Sequence, residues 1–321
     1  MRRLPGRLAA IVTMGTLVVA LSAVPASADA TSTDLGPAAS SSGSRIVEAI
    51  RTRSGVIACQ WQDDGASNYY VGVVDGPNQS LANLSPAVSL VANGTYLFLL
   101  AVRGDGQLFL NQANVVARPT AQGFTFIGWQ AMNLVTNVAP ALGSWGNRSV
   151  AVVVAPDGRI LYDWWDLGGG GHGFREVPGG GYTTASAAVT LVANGTYMFV
   201  LVKGTDNQVW LNQGTPGGAF VGWQPLGIAT TVAPGAIAAG NRSAVLVTTP
   251  GGRVAYDWWD LGGGTHGLRY LPGLSTTMTA PAAGMFGGGA TLLPLATAQD
   301  HYVYQSRGTP GGSFSAWQFT L

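Results

Sequence analysis

Lysine is nearly absent: Lys203 is the single one in 321 residues, and all charged side chains together make up 10% of the chain. With a net charge of +1, there is no basic footprint for nucleic acid or an anionic lipid surface. Cysteine is equally scarce. Cys59 stands alone, so no intrachain disulfide can form, and its neighbours Ala58 and Trp61 suit a buried strand thiol. Stability must come from packing. No window carries a sustained helical stripe, and beyond the N-terminus no apolar run is long enough to cross a bilayer. The three histidines form no metal-spaced cluster with cysteine. A nucleophile elbow is missing, as are the Ser-x-Asp-x-Gly-x-Thr-Trp turns of six-bladed sialidases. Asp163 with Asp166 offers too few oxygens to signal Ca2+. No cofactor, metal or enzyme activity is implied.

The N-terminus reads as a bacterial-type secretory signal. Arg2, Arg3 and Arg7 precede an uncharged run from Leu8 to Val24, and Ala26-Ser27-Ala28 forms a small-residue cleavage pattern. Cleavage after Ala28 would release a secreted protein. Residues 29–43, rich in Ala, Ser and Thr, read as a flexible leader. Residues 44–321 then form one domain of 321 − 43 = 278 residues.

Repeats organise that domain. Asp-Trp-Trp-Asp-Leu-Gly-Gly-Gly-x-His-Gly occurs at 163–173 and again at 257–267, an offset of 257 − 163 = 94 residues. Gly146-Asn147-Arg148-Ser149 likewise returns as Gly240-Asn241-Arg242-Ser243. A second kind of unit lies between. Leu90 to Tyr96 recurs at Leu191 to Tyr197, Gly128-Trp129-Gln130 as Gly222-Trp223-Gln224, and Gly214 to Gly218 as Gly308 to Gly312. Residues 45–76 align loosely with the first kind, Gln60-Trp61-Gln62-Asp63 standing where Asp163 to Asp166 stands. The order is A-B-A-B-A-B, and 278/6 gives about 46 residues per unit. Short alternating apolar runs, such as Ser149 to Val154, are split by turn pairs including Asp157-Gly158 and Pro178-Gly179. About four strands per unit of this length predicts an all-β, six-bladed β-propeller with alternating A and B blades.

The stretch Lys203 to Gln213, followed by Pro216 to Gly227, resembles one blade of the bacterial propeller lectins of the Photorhabdus fucose-binding type. Blades of that family carry a Gly-Thr-Asp turn, a central Trp or Tyr and a closing Gly-Trp-x-x-Leu. Here Gly204-Thr205-Asp206, Trp210 and Gly222-Trp223 with Leu226 match those features. The resemblance covers the B units, about half of the mature chain. It implies a propeller that binds sugar, with Trp129, Trp223 and Trp317 as the family's blade-closing tryptophans. Two departures stand out: six blades fit here rather than seven, and the A units carry Asp-Trp-Trp-Asp instead.

That string has the chemistry of a saccharide site. Tryptophan supplies a broad face for sugar C–H groups, aspartate accepts from hydroxyls, and histidine donates or accepts. Adjacent Trp164 and Trp165 must point to opposite faces of a strand, so one of each pair is expected between blades. The candidate ligand-binding residues are Trp165, Asp166, His172 and Arg175, with Trp259, Asp260, His266 and Arg269 as the second copy. The Gln60 to Asp63 copy is expected to lack a site. Six Asn-x-Ser/Thr sequons, at Asn78, Asn83, Asn93, Asn147, Asn194 and Asn241, are mostly repeat equivalents and need no glycosylation to explain them. The expected function is a secreted carbohydrate-binding propeller whose partner is a saccharide or glycoconjugate. Neither nucleic acid nor membrane insertion is expected, and an oligomer is compatible with the repeats. One alternative is a protein-interaction platform. Another is a glycan-active hydrolase or lyase with an asymmetric site in the less regular blades, 45–76 or 284–321.

Overall fold

The computed structural model describes residues 35–64, 70–74, 81–115, 124–179, 183, 185–273 and 279–319. The expected signal peptide lies outside them. Six antiparallel sheets form the six blades of a propeller. Blade 1 holds Ala38–Ser42, Arg45–Arg51, Ile57–Asp63 and Tyr70–Val74. Blade 2 holds Ala87–Val91, Tyr96–Val102 and Gln107–Val115, with its outer strand split into Phe124–Phe126 and Gln130–Val135. Blade 3 holds Ala141–Trp145, Arg148–Val154, Ile160–Asp166 and Arg175–Glu176, and blade 4 Ala188–Val192, Tyr197–Lys203, Gln208–Gly214 and Phe220–Ala229. Blade 5 holds Gly235–Ala239, Arg242–Thr248, Val254–Asp260 and Arg269–Tyr270, and blade 6 Ala282–Phe286, Thr291–Thr297, Val303–Gln305 and Gln318–Phe319. The innermost strands touch in cyclic order, the last against the first, so the ring closes.

The A-B alternation is structural as well as sequential. In the A blades (1, 3 and 5) a two-residue turn joins the first and second strands, with Gly43, Gly146 or Gly240 in the left-handed region. In the B blades (2, 4 and 6) a four-residue turn does so, with Asn93, Asn194 or Gly288 left-handed.

Crowding at the axis dictates small residues there. A Cβ on Gly235 would lie 2.2 Å from the Pro281 carbonyl oxygen of the next blade. The same pressure corrects the expected leader boundary. Residues 29–34 fall outside the described chain, but Ala38–Ser42 is the innermost strand of blade 1. Its Ala- and Ser-rich composition is what an inner strand requires. The second strands, such as Arg148–Val154, are buried along nearly their whole length because each sheet packs on both faces. The core is correspondingly six apolar clusters, one in each gap between blades. Cys59 is fully buried in one of them, and burial pushes its thiol up to about 12.

Among the described residues, each sheet is made of strands consecutive in sequence, so no strand is exchanged between the first and last blades. Side chains close the ring instead. Ser41 Oγ donates to the Met285 carbonyl at 2.8 Å and accepts from the Met285 N–H at 2.9 Å. Gln62 Nε2 donates to Gln305 Oε1 at 3.3 Å, and Arg307 pairs with Asp64. Removing the Ser41 hydroxyl leaves two backbone groups of an inner strand without that partner. Ser41→Ala is therefore expected to lower stability by about 1–3 kcal/mol, read as a shift in the urea midpoint. An unchanged midpoint would show that Ser41 is not part of the closure.

Candidate functional site

Strand pleat sends the two tryptophans of each pair to opposite faces, as expected, but both faces are gaps between blades, so Trp165 and Trp259, expected to bind ligand, are buried as well. All four are buried, between 4% and 7% exposed. Trp165 packs against blade 2, meeting Phe98 in a T-shaped contact at 5.4 Å, and Trp259 meets Phe199 of blade 4 at 5.8 Å. Trp164 and Trp258 face the following blade instead. There Gly217 and Gly311, at φ +78° and +83°, sit so close that a Cβ would come within 2.7 and 2.9 Å of the indoles. Glycine is the residue that permits both that backbone conformation and that approach.

The loop after each Asp-Trp-Trp-Asp strand folds back over the first tryptophan, not the second. His172 stacks on Trp164 with centroids 4.4 Å apart and 19° between planes; His266 stacks on Trp258 at 4.6 Å and 15°. Arg175 places its guanidinium 4.9 Å from the Trp164 ring centre and donates to the Gly217 carbonyl at 3.5 Å. Arg269 repeats this at 5.2 Å from Trp258, bonding Gly311 at 3.1 Å. Both histidines and both arginines are exposed although the indoles beneath them are buried.

Buried carboxylates shape the loops. Asp163 Oδ1 accepts the backbone N–H groups of Trp164 at 2.7 Å and His172 at 2.9 Å, and Asp257 accepts that of Trp258 at 2.7 Å. Burial raises both carboxyls above the ordinary value, opposed by these backbone donors. Asp166 and Asp260 lie at the strand ends and behave oppositely. Arg148 grips Asp166 in a bidentate pair at 2.9 and 3.1 Å and reaches the Gly195 carbonyl of the next blade at 3.3 Å. Arg242, Asp260 and Gly289 repeat it, as do Arg45, Asp63 and Gly94 in blade 1. These arginines hold Asp166 and Asp260 below the usual carboxylate range, and the charges of His172 and His266 add to the effect.

Of the eight residues expected to bind ligand, the structure therefore gathers Asp166, His172 and Arg175 around Trp164, and Asp260, His266 and Arg269 around Trp258. Trp165 and Trp259 lie in the opposite gaps. The first tryptophans and the facing glycines were not among the candidates. The blade-closing tryptophans brace the same regions: Trp223 Nε1 donates to Pro178 at 3.0 Å, and Trp317 Nε1 to Pro272 at 2.6 Å.

No protein-family model and no curated protein sequence matches this chain. Solved structures do. AofleA from Arthrobotrys oligospora is similar with a TM-score of 0.69 at 11% identity, over 90% of this chain and 87% of its own. The BP39L lectin from Burkholderia pseudomallei gives 0.63 at 13% identity, over 91% and 100%. A fungal lectin from Aleuria aurantia, itself described as a six-bladed β-propeller, gives 0.62 at 15% identity, over 89% and 95%. At these identities the likeness shows the six-bladed propeller fold.

Asp163 and Asp257, whose carboxylates clasp the loop backbone, predict a pH signature. A folded-state pKa raised above the unfolded value, about 3.9 for Asp, contributes stability below that value that is lost as pH rises through the folded one. Asp166 and Asp260, being depressed, contribute stability that is lost as pH falls. Asp163→Asn with Asp257→Asn keeps an oxygen acceptor but removes the titration. Relative to the native protein, the double variant is expected to gain stability as pH rises above about 4, measured by urea midpoints across that range. A constant difference at all pH values would exclude the clasp as a titrating element.

Proposed function

We propose that this protein is a secreted, lectin-like propeller that binds saccharides through two equivalent sites, at the loops of blades 3 and 5. The observation that carries this reading is the duplication of one arrangement. In both loops an exposed imidazole lies flat on a buried indole, with an exposed guanidinium beside it and a carboxylate at the strand end. Imidazole, guanidinium and carboxylate together present the donors and acceptors that sugar hydroxyls need. Both sites follow the third strand of an A blade, so they open on the same side of the ring and can engage one multivalent surface together.

The fold likeness supports the reading, because the similar structures include lectins, one of them solved with α-methyl-L-fucoside. The finer resemblance to the Photorhabdus type rests on Lys203 to Gly227 and belongs to this proposal, as do export through residues 1–28 and a bacterial origin. Binding rather than catalysis follows from the repetition, since the acidic groups recur by symmetry rather than facing each other across one cleft.

A glycan array probed with the mature protein tests it; the absence of any bound saccharide at every density would sink it. The double variant His172→Ala with His266→Ala is expected to weaken binding about tenfold, the loss of roughly one hydrogen bond per site. Its melting temperature should stay near that of the native protein, because both rings are exposed. A large fall in stability with binding retained would make these histidines scaffold.

A further inference from the structure

Three gaps join a B blade to the following A blade, and their linings are equivalent by position. They are not equivalent in chemistry. Between blades 6 and 1 the positions of Trp165, Leu110 and Leu167 are held by Gln62, Gln305 and Asp64. The amides bond to each other, Asp64 pairs with Arg307, and the remaining cavity is about 140 Å³. Between blades 4 and 5, Ile228, Phe199 and Trp259 form one buried apolar cluster. Between blades 2 and 3 a cleft of about 830 Å³ remains, within the size range of small-molecule sites.

The walls of that cleft show what it suits. Leu110, Met132, Leu134, Leu167 and Phe174 line it and are only half-buried, an apolar surface the blades themselves leave incompletely covered. Polar groups line it as well: the amides of Gln112, Gln130 and Asn133, the Tyr96 side chain and the backbone of Gly168 to Gly171. Trp165 forms part of the wall, and its buried indole N–H has no hydrogen-bond partner. Asp163 also borders the cleft, but its carboxylate is already engaged by the loop backbone. We infer that the cleft between blades 2 and 3 is a separate binding site for an amphipathic small molecule, its alkyl or aryl body against Leu110, Met132, Leu134, Leu167 and Phe174 and its hydroxylated end against the Gln112 and Gln130 amides. This site goes beyond the two loop sites and does not depend on them.

The Gly-rich loop provides a way to fill the cleft without straining the chain. Gly170 lines it, has no left-handed backbone, and a Cβ there would meet nothing within 4 Å. Gly264, its counterpart in blade 5, is equally open. The experiment is calorimetric titration with n-alkyl β-D-glucosides from ethyl to octyl, each below its micelle concentration. Native protein is expected to bind about fourfold more tightly for each added methylene until the cleft is full. Gly170→Phe should flatten that series at an unchanged melting temperature, and Gly264→Phe should leave it steep. A flat series in the native protein, a series that Gly170→Phe leaves steep, or one that Gly264→Phe flattens equally would each overturn the assignment. Because this titration reads chain length and the array reads the exposed loops, failure of either leaves the other standing.

Discussion

Both faces of every blade are interfaces, and the pleat of a strand commits neighbouring side chains to opposite ones. This constraint decides what each residue can do. A side chain in the body of a second strand, or at Tyr162 to Trp165 and Tyr256 to Trp259 of the third strands, has no solvent side to turn to, so tryptophan there becomes packing. Trp164 and Trp165 are both buried for that reason, in different gaps. Side chains stay open to solvent where the chain leaves a sheet, as at His172 and Arg175, or where two sheets leave a cleft, as between blades 2 and 3.

The 94-residue offset was enough to read six blades and their alternation, because each repeat is one sheet and cannot bury its faces alone. The opposite facing of the tryptophan pair was likewise legible from strand geometry. The partner of His172 was not. His172 turns back onto Trp164 rather than Trp165, and Trp164 faces blade 4, where only the packing of the next blade brings Gly217, 217 − 164 = 53 residues away, against the indole. No local pattern encodes such a contact. Residues 38–42 were misread for a related reason. Small residues mark a flexible leader and a crowded inner strand alike, and the choice between them is made by the ring.

The first A unit carries Gln60-Trp61-Gln62-Asp63, and its position explains the change. Its gap with blade 6 is where the chain's first and last described sheets meet without exchanging a strand. An aromatic cluster would bury area there, but apolar contact is tolerant of sliding. Hydrogen bonds are directional. The Gln62–Gln305 bond, the Asp64–Arg307 pair and the two Ser41–Met285 bonds fix the register of the closing sheets. The cost is buried polar groups that need partners, and one amide–amide bond, from Gln62 Nε2 to Gln305 Oε1, spans the gap. The proposed cleft site and the ring closure thus use the same position in different blades.

Glycine in the Gly168–Gly171 loop does not mean mobility. Leu167 N–H donates to Asn147, Gly169 N–H to Asp166, and His172 N–H to both Trp164 and Asp163. The equivalent bonds recur from Leu261 to Asn241, Gly263 to Asp260 and His266 to Trp258. The glycines supply left-handed turns at Gly168 and Gly173, while backbone and carboxylate acceptors hold the result in place. Below the loop, the Arg148–Asp166 pair ties the same strand end to the Gly195 carbonyl of blade 4. A loop fixed at both ends, with its histidine stacked on a buried indole, has little freedom left to lose, which is what the proposed shallow saccharide site requires. The same bracing explains why the arrangement is reproduced so closely in blade 5. Its geometry is set by hydrogen bonds within the A blade together with the reach of the two arginines to the next blade, and both sets recur in blade 5.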